Sequence, residues 1–180
     1  MGRAAGYGFS RGVFILLGDT KLYDEPTVTH PLEWRSGKID RKVSSTLAAE
    51  GNSAANAYDK GMWARAICYE LENGKDASWQ EMCEQIPFCL GTDCKSLYDN
   101  CIKPASTTKE KRVALDLLDV REGIERFGDQ IRWVPTDHML VDCFTKAMNP
   151  ALLMSYLGDY VYSFKSVSYT HLTLPTKRIV

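Results

Sequence analysis

A long helical segment with small residues on one face places the strongest constraint on how this chain can fold. Between residues 46 and 72, apolar and small side chains recur at alternating spacings of three and four, which is the pattern of an amphipathic helix. The predicted inward face comprises Leu47, Glu50, Ala54, Ala57, Gly61, Ala64, Cys68 and Leu71. Because small side chains permit a close approach, we expect this helix to pack directly on a β-sheet.

Glu50 is the charged member of this face. A carboxylate on an inward face has to be ion-paired, bound to a metal ion or close to an edge that solvent reaches. Alternatively, Glu50 is a partly solvated side chain near the helix start that interacts with the positive end of the helix dipole. The helix sequence leaves both interpretations open.

Three further segments are predicted to be strands. Residues 7–17 and 30–36 are joined by a polar connection with Gly18 and Pro26, which predicts a hairpin with a long loop. Residues 87–93 form an apolar run too short for a helix, and it ends in Asp93. An acid at the carboxyl end of a parallel strand often faces a ligand crevice. Alternatively, Asp93 caps the helix that follows.

A second amphipathic helix is predicted before Gly128, with Thr107 or Thr108 as its N-cap. Its inner stripe comprises Val113, Leu117, Val120, Ile124 and Phe127. The regular spacing of these apolar residues indicates that the helix is mainly scaffold.

A third acid, Asp142, follows the last predicted strand, which covers residues 131–134 and stops at Pro135. Asp137 is predicted to cap a final helix in which Asp142 lies one or two turns in. The alternative for Asp142 is a surface residue without a special role.

Composition predicts one intracellular domain outside the membrane. The chain has 180 residues, a net charge of −1, 44% hydrophobic residues and six cysteines, and the cysteines show no Cys-x-x-Cys spacing, which favours free thiols over zinc ligands or disulfides. The start of the sequence does not have the pattern of a secretory signal, and no apolar stretch approaches 18 residues.

Taken in order, the motifs around these acids resemble the ribonuclease H domain of Copia-type retrotransposon polyproteins. The resemblance runs from about residue 6 to about residue 146. The motifs that carry it are Leu32-Glu33-Trp34-Arg35-Ser36, Ser44-Ser45-Thr46-Leu47-Ala48-Ala49-Glu50, Trp63-Ala64-Arg65, Thr92-Asp93-Cys94-Lys95-Ser96-Leu97, Trp133-Val134-Pro135-Thr136 and Leu140-Val141-Asp142-Cys143-Phe144-Thr145-Lys146. Each motif is weak by itself, but the ordered set is specific.

The resemblance implies an α/β fold of the ribonuclease H-like type, with a mixed five-stranded sheet and helices around it. It also implies four carboxylates in the order Asp, Glu, Asp, Asp that hold two Mg²⁺ or Mn²⁺ ions. Glu50, Asp93 and Asp142 match the last three as catalytic metal ligands. The first Asp lies on the family's first strand, which would precede Met1 here. Because that strand is central, we expect this chain to fold poorly alone and to be weak or inactive as a nuclease.

The implied substrate is the RNA strand of an RNA/DNA hybrid, and the implied partner is the reverse transcriptase domain of the same polyprotein, in a cytoplasmic retroelement particle or the nucleus. The basic residues expected to contact phosphates are Arg35, Lys38, Arg41, Lys42, Lys111 and Arg112. His138, four residues before Asp142, is a candidate accessory group for proton transfer or product release, although a surface histidine is the simpler interpretation.

Three other interpretations remain. In the first, the chain is a non-catalytic ribonuclease H-like module that binds nucleic acid or supports a polymerase. In the second, it is a fragment of a decayed element. An integrase-type relative of the same broad fold explains Glu50 less well. The predicted organisation is a ribonuclease H-like domain over residues 1–148 and a C-terminal extension over 149–165, followed by residues 166–180, which resemble a translated sequencing adapter.

Overall fold

The computed structural model describes residues 10–74, 78–103 and 110–164. The adapter-like tail, the start of the first predicted strand and the segment with Thr107 and Thr108 lie outside these residues. The strands are β1 (Ser10–Gly18), β2 (Thr27–Lys38), β3 (Cys89–Thr92), β4 (Gln130–Trp133) and β5 (Val161–Tyr162). The α-helices are α1 (Thr46–Asn73), α2 (Trp79–Gln85), α3 (Lys95–Ile102), α4 (Lys111–Phe127), α5 (Asp142–Thr145) and α6 (Ala151–Asp159). The fold is therefore mixed α/β.

The strands form two separate sheets. β1 and β2 make the predicted antiparallel hairpin, with Ser10 opposite Lys38 and Gly18 opposite Thr29, and β5 pairs with the start of β2. β3 and β4 form a parallel pair, from Cys89 opposite Gln130 onward. The described strands thus have the orders β1-β2-β5 and β3-β4.

The long helix α1 packs on two sides, against β1 and against α4. It begins where the Ser45 side chain accepts a hydrogen bond from the Ala48 N–H at 3.1 Å, and it ends at Gly74, whose φ of 66° is left-handed. The predicted inward face is only partly correct. Leu71 is 80% exposed, whereas Tyr58 is buried, because contacts on two sides bury more of the helix than one stripe.

The main core lies between α1, α3, α4 and the β3-β4 sheet. The predicted inner stripe of α4 is confirmed for its first three residues, since Val113, Leu117 and Val120 are almost fully buried. α4 begins at Lys111 with Glu110 at the N-cap position, and the predicted cap residues Thr107 and Thr108 lie outside the described residues. The Glu110 carboxylate accepts a hydrogen bond from the Ser44 hydroxyl at 2.9 Å, so the start of α4 is tied to the segment before α1.

A buried ion pair fixes α1 to the turn before β4. Arg65 of α1 and Asp129 have side chains that are 1% and 2% exposed and are in direct ionic contact. The Tyr58 hydroxyl donates a second hydrogen bond to Asp129 at 2.7 Å. Because a buried charge without a partner is strongly unfavourable, these contacts specify how α1 sits against the β3-β4 sheet.

A cavity of about 460 Å³ separates the two sheets. Residues of β1 and β3 line it, together with the α1 residues Ala57, Gly61 and Ala64. Within the described residues, the edge of β1 away from β2 and the edge of β3 away from β4 have no strand partner. The small-residue face of α1 therefore covers a gap in the sheet layer, and we call this cavity the inter-sheet gap.

The segment after residue 149 joins the β1-β2 sheet. Tyr156 of α6 packs edge-on against Phe14, with ring centroids 5.7 Å apart, and its hydroxyl lies 3.1 Å from the Thr29 hydroxyl. After β5, Phe164 lies at the side of the inter-sheet gap, where it lines the cavity together with Tyr162. The described part of the predicted extension is thus a packed part of the fold.

Candidate active site

Three acids from distant parts of the chain line one small cavity. Glu50, Asp93 and Asp142, together with Lys146, border a cleft of about 90 Å³ that lies beside β1 and β3. The acids come from α1, from the end of β3 and from α5. The structure therefore brings together the three residues that the sequence analysis singled out.

Asp93 follows β3 directly, and neighbouring side chains hold it there. The indole Nε1 of Trp133 donates a hydrogen bond to the Asp93 carbonyl oxygen at 2.9 Å, and the Thr136 hydroxyl lies 3.4 Å from Asp93 Oδ2. The alternative role as a helix cap is wrong, because α3 begins at Lys95 with Cys94 at the N-cap position. The Asp93 carboxylate is thus available to the cleft.

Asp142 is buried, with only 5% of its surface exposed, so its interpretation as a surface residue is wrong. The predicted helix around it is also wrong. A short 3₁₀ helix covers Thr136–His138, and Asp142 then begins the four-residue helix α5. The close packing of Val141, the residue before α5, on β1 explains this placement. It is possible because residue 12 is a glycine: a Cβ at Gly12 would lie only 2.6 Å from Val141 Cγ2.

Glu50 is half-buried in the second turn of α1. Burial raises the pKa of its carboxyl above the ordinary value, and the negative charges of Asp93 and Asp142 raise it further, against the opposing effect of Lys146. The pKa of Glu50 therefore depends on the charges of the other two acids. This coupling supports a shared site more than the isolated interaction with a helix dipole that the helix sequence left open.

Lys146 is the site residue that the sequence analysis did not single out. Its Nζ donates hydrogen bonds at 2.8 Å to both carboxylate oxygens of Asp142, and it lies 3.8 Å from Asp93 Oδ2. The hydrogen bond to Asp142 raises the pKa of Lys146, helped by the charges of Asp142, Asp93 and Glu50 and opposed by partial burial. The sequence feature that could have identified Lys146 is its i,i+4 spacing from Asp142 within one motif.

The donor chemistry of the cleft fits a divalent cation that prefers oxygen ligands, such as Mg²⁺. The arrangement itself is not closed around an ion: among the described residues, no three His, Cys, Asp or Glu side chains are close enough together to hold a metal. The ammonium group of Lys146 lies among the carboxylates instead. Residues suited to a metal are therefore present, but are not arranged as a finished site.

Other predicted functional residues lie around the cleft or apart from it. His138 does not line the cleft; its Nδ1 lies 3.1 Å from Asp137 Oδ1. Arg41 forms an ion pair with Asp116 of α4, which makes it less available to a phosphate. The remaining predicted basic residues are exposed, and they are Arg35, Lys38, Lys42, Lys111 and Arg112.

Two contacts bring the basic clusters together. The ion pair of Arg41 with Asp116 and the hydrogen bond of Ser44 with Glu110 place the segment before α1 beside the first turns of α4. Lys42, between Arg41 and Ser44 in the chain, therefore belongs to a segment that lies next to the start of α4, where Lys111 and Arg112 are. We call these exposed residues, Lys42, Lys111 and Arg112, the basic surface.

Comparisons with protein-family models, with curated proteins and with solved structures give no match. Within the described residues, no helix has the length and apolar character needed to cross a membrane.

Proposed function

We propose that this chain is a metal-dependent endonuclease domain of the ribonuclease H type, which cleaves the RNA strand of RNA/DNA hybrids and is impaired by an incomplete site. The observation that carries the proposal is the convergence of Glu50, Asp93 and Asp142 on one cleft. Nearly a hundred residues separate the first of these acids from the last, so their meeting is a property of the fold. Under the same proposal, the partner is a reverse transcriptase domain, and the chain acts inside the cell.

The inter-sheet gap supports the same assignment. The resemblance implies a central first strand between the two strands that correspond to β1 and β3, and β1 and β3 are the strands that border the gap. Gly12 of β1 and Gly91 of β3 line both the cleft and the gap. A strand inserted there with an acid at the level of Gly12 would add a fourth carboxylate next to Asp93 and Asp142.

The residues of the cleft have distinct tasks in this mechanism. Bound divalent ions would supply the activation of a water for in-line attack on a phosphodiester and the stabilisation of the leaving oxygen. Glu50, Asp93 and Asp142 would hold these ions, and none of them acts as a nucleophile. Trp133 positions Asp93 through its carbonyl, and the packing of α5 on Gly12 positions Asp142.

The basic surface is suited to the phosphates of a hybrid. Lys42, Lys111 and Arg112 are exposed. Lys42 lies shortly before α1, the helix that contains Glu50, and Lys111 and Arg112 begin α4, which packs against α1. Contacts of lysine and arginine with phosphates give affinity without reading sequence. Discrimination of RNA from DNA would come from 2′-hydroxyl groups in the shallow minor groove.

The test is cleavage of a labelled RNA/DNA hybrid by the full chain in Mn²⁺, with an RNA duplex and a DNA duplex as controls. We expect slow cleavage restricted to the RNA strand of the hybrid. Asp93→Asn should abolish it, whereas Asp99→Asn, in α3 and outside the cleft, should not. Equal activity of the wild type and Asp93→Asn would show that the cleft is not the active site.

A second candidate function is a non-catalytic module that binds hybrids. It is favoured by the finding that no three potential ligands among the described residues are close enough to hold a metal. It predicts hybrid binding that is unchanged by EDTA, with no cleavage in Mg²⁺ or Mn²⁺. Fusing a short strand with one Asp before Met1 separates the two candidates, because only the nuclease gains activity from a fourth carboxylate.

A further inference from the structure

We propose that Lys146 is the internal counter-ion of the cleft: it holds the carboxylates together when no metal is bound, and a divalent cation displaces it. This inference rests on the proposed function, because it concerns the same carboxylates. It assigns to Lys146 a role in setting metal affinity, which neither its position in the motif nor the resemblance gives it.

The first argument is electrostatic. The side chain of Asp142 is only 7% exposed, and a carboxylate in such a place needs a partner. The partner that the structure shows is Lys146, which contacts both oxygens of Asp142 at 2.8 Å and also lies 3.8 Å from Asp93. A single ammonium group therefore offsets part of the negative charge of two acids directly, and acts on Glu50 at longer range.

The second argument is that the contact of Lys146 with Asp142 can be broken without disturbing the core. Lys146 follows α5 as its C-cap residue, and its side chain is 54% exposed, so it can turn into solvent without disturbing the core. The buried ion pair of Arg65 with Asp129 is the opposite case, since neither of its side chains reaches solvent. The long stem of a lysine keeps its charged group mobile and well hydrated when it is released.

The third argument is thermodynamic reciprocity. A group that stabilises the metal-free cleft must weaken metal binding by the same free energy, because the ion has to displace it before it can use the Asp142 oxygens. Removing the ammonium group should thus have two opposite effects. The metal-free protein becomes less stable, and its affinity for a divalent ion increases.

The first experiment compares the full chain with Lys146→Met and with Lys103→Met. Lys103 also forms an i,i+4 ion pair, with Asp99 at 3.7 Å, but outside the cleft. In EDTA, Lys146→Met should lower the Tm by several degrees more than Lys103→Met does. In a titration followed by Mn²⁺ electron paramagnetic resonance, Lys146→Met should bind Mn²⁺ at least about fivefold more tightly, and Lys103→Met should bind like the wild type.

A second measurement uses the wild type alone and does not depend on the folding of any variant. An amine-acylating reagent is applied with and without Mn²⁺, and the modification rate of each lysine is read by mass spectrometry. We expect the rate at Lys146 to rise at least about threefold as Mn²⁺ saturates, since a side chain released from Asp142 into solvent is more accessible to the reagent, while the rate at Lys103 stays constant.

The outcomes separate the two claims. If the wild type binds Mn²⁺ but Lys146→Met shows equal or weaker affinity and the reactivity of Lys146 does not change, the counter-ion role is overturned and the metal site stands. If neither protein binds Mn²⁺ at millimolar concentrations, both the counter-ion role and the proposed metal-dependent function are overturned.

Discussion

Trp133 holds Asp93 in place: its indole Nε1 lies 2.9 Å from the Asp93 carbonyl oxygen. This hydrogen bond joins the last residue of β4 to the residue that follows β3. It therefore links the two parallel strands at the end of the sheet where Asp93 lies. The orientation of Asp93 thus depends on a side chain 40 residues away.

We expect Trp133→Phe to lower the free energy of unfolding by about 1 kcal/mol, the usual net value of one hydrogen bond, and by more if the carbonyl is left without a partner. Urea denaturation measures this change. The control is Trp79→Phe, since Trp79 of α2 is half exposed. Equal midpoints for the two variants would contradict the role given to Trp133.

Gly123→Ala should destabilise the fold by about 1–3 kcal/mol, the typical effect of overpacking. A Cβ at Gly123 would overlap the Tyr58 hydroxyl and come within 2.9 Å of Asp129 Oδ2, which would disturb the buried ion pair of Arg65. Gly158→Ala in α6 is the control, because nothing lies within 4 Å of its Cβ position, and there the loss of a helical glycine should stabilise by up to about 1 kcal/mol. Thermal unfolding distinguishes the two signs.

The raised pKa of Glu50 predicts how stability depends on pH in EDTA. Because the folded state holds the Glu50 proton more tightly than the unfolded state, this carboxyl disfavours folding increasingly as the pH rises above its ordinary pKa of 4.5. We therefore expect Glu50→Gln to raise the Tm at pH 7, and we expect this gain to disappear as the pH falls below 4.5.

Asp59→Asn is the control for this prediction, since burial and the charge of Asp119 also raise the pKa of Asp59. Both variants should gain stability at pH 7 in EDTA, and the gain should be smaller for Asp59→Asn, because Asp59 is exposed and solvent screens its charge. Added Mn²⁺ should turn the gain of Glu50→Gln into a loss and leave that of Asp59→Asn unchanged. A gain for Glu50→Gln that persists in saturating Mn²⁺ would argue against Glu50 as a metal ligand.

Replacing Lys111 and Arg112 with alanine should weaken hybrid binding at low salt and make its salt dependence less steep. Each lost phosphate contact is expected to reduce the slope of log K against log salt concentration by about 1. Fluorescence anisotropy over a salt series measures both quantities. The double variant of Lys103 and Arg126, two exposed residues outside the basic surface, should keep the wild-type slope.

The elements with regular apolar spacing could be predicted from sequence. The stripe of α4 from Val113 to Val120 is buried as expected, because one strong face decides how such a helix packs. The face of α1 was predicted less well, because the helix is packed on two sides and carries a buried charge at Arg65. A single-stripe pattern does not describe a helix between two layers.

The three acids that line the cleft were named from the sequence, but their geometry was not. Asp93 could be placed because a short apolar run ending in an acid indicates the tip of a strand. Asp142 could not, since its position follows from the packing of Val141 and α5 on Gly12, which lies more than 120 residues earlier in the chain. The role of Lys146 depends on where that short helix lies, and the loss of Arg41 from the basic surface depends on its ion pair with Asp116.

The inter-sheet gap has a consequence for how this protein behaves in solution. Among the described residues, the edges of β1 and β3 that face the gap have no strand partner, and their backbone groups can hydrogen-bond with an extended chain of suitable register. A second copy of the molecule is one source of such a chain. Self-association should therefore increase with protein concentration, and a short peptide that occupies the gap should keep the protein monomeric.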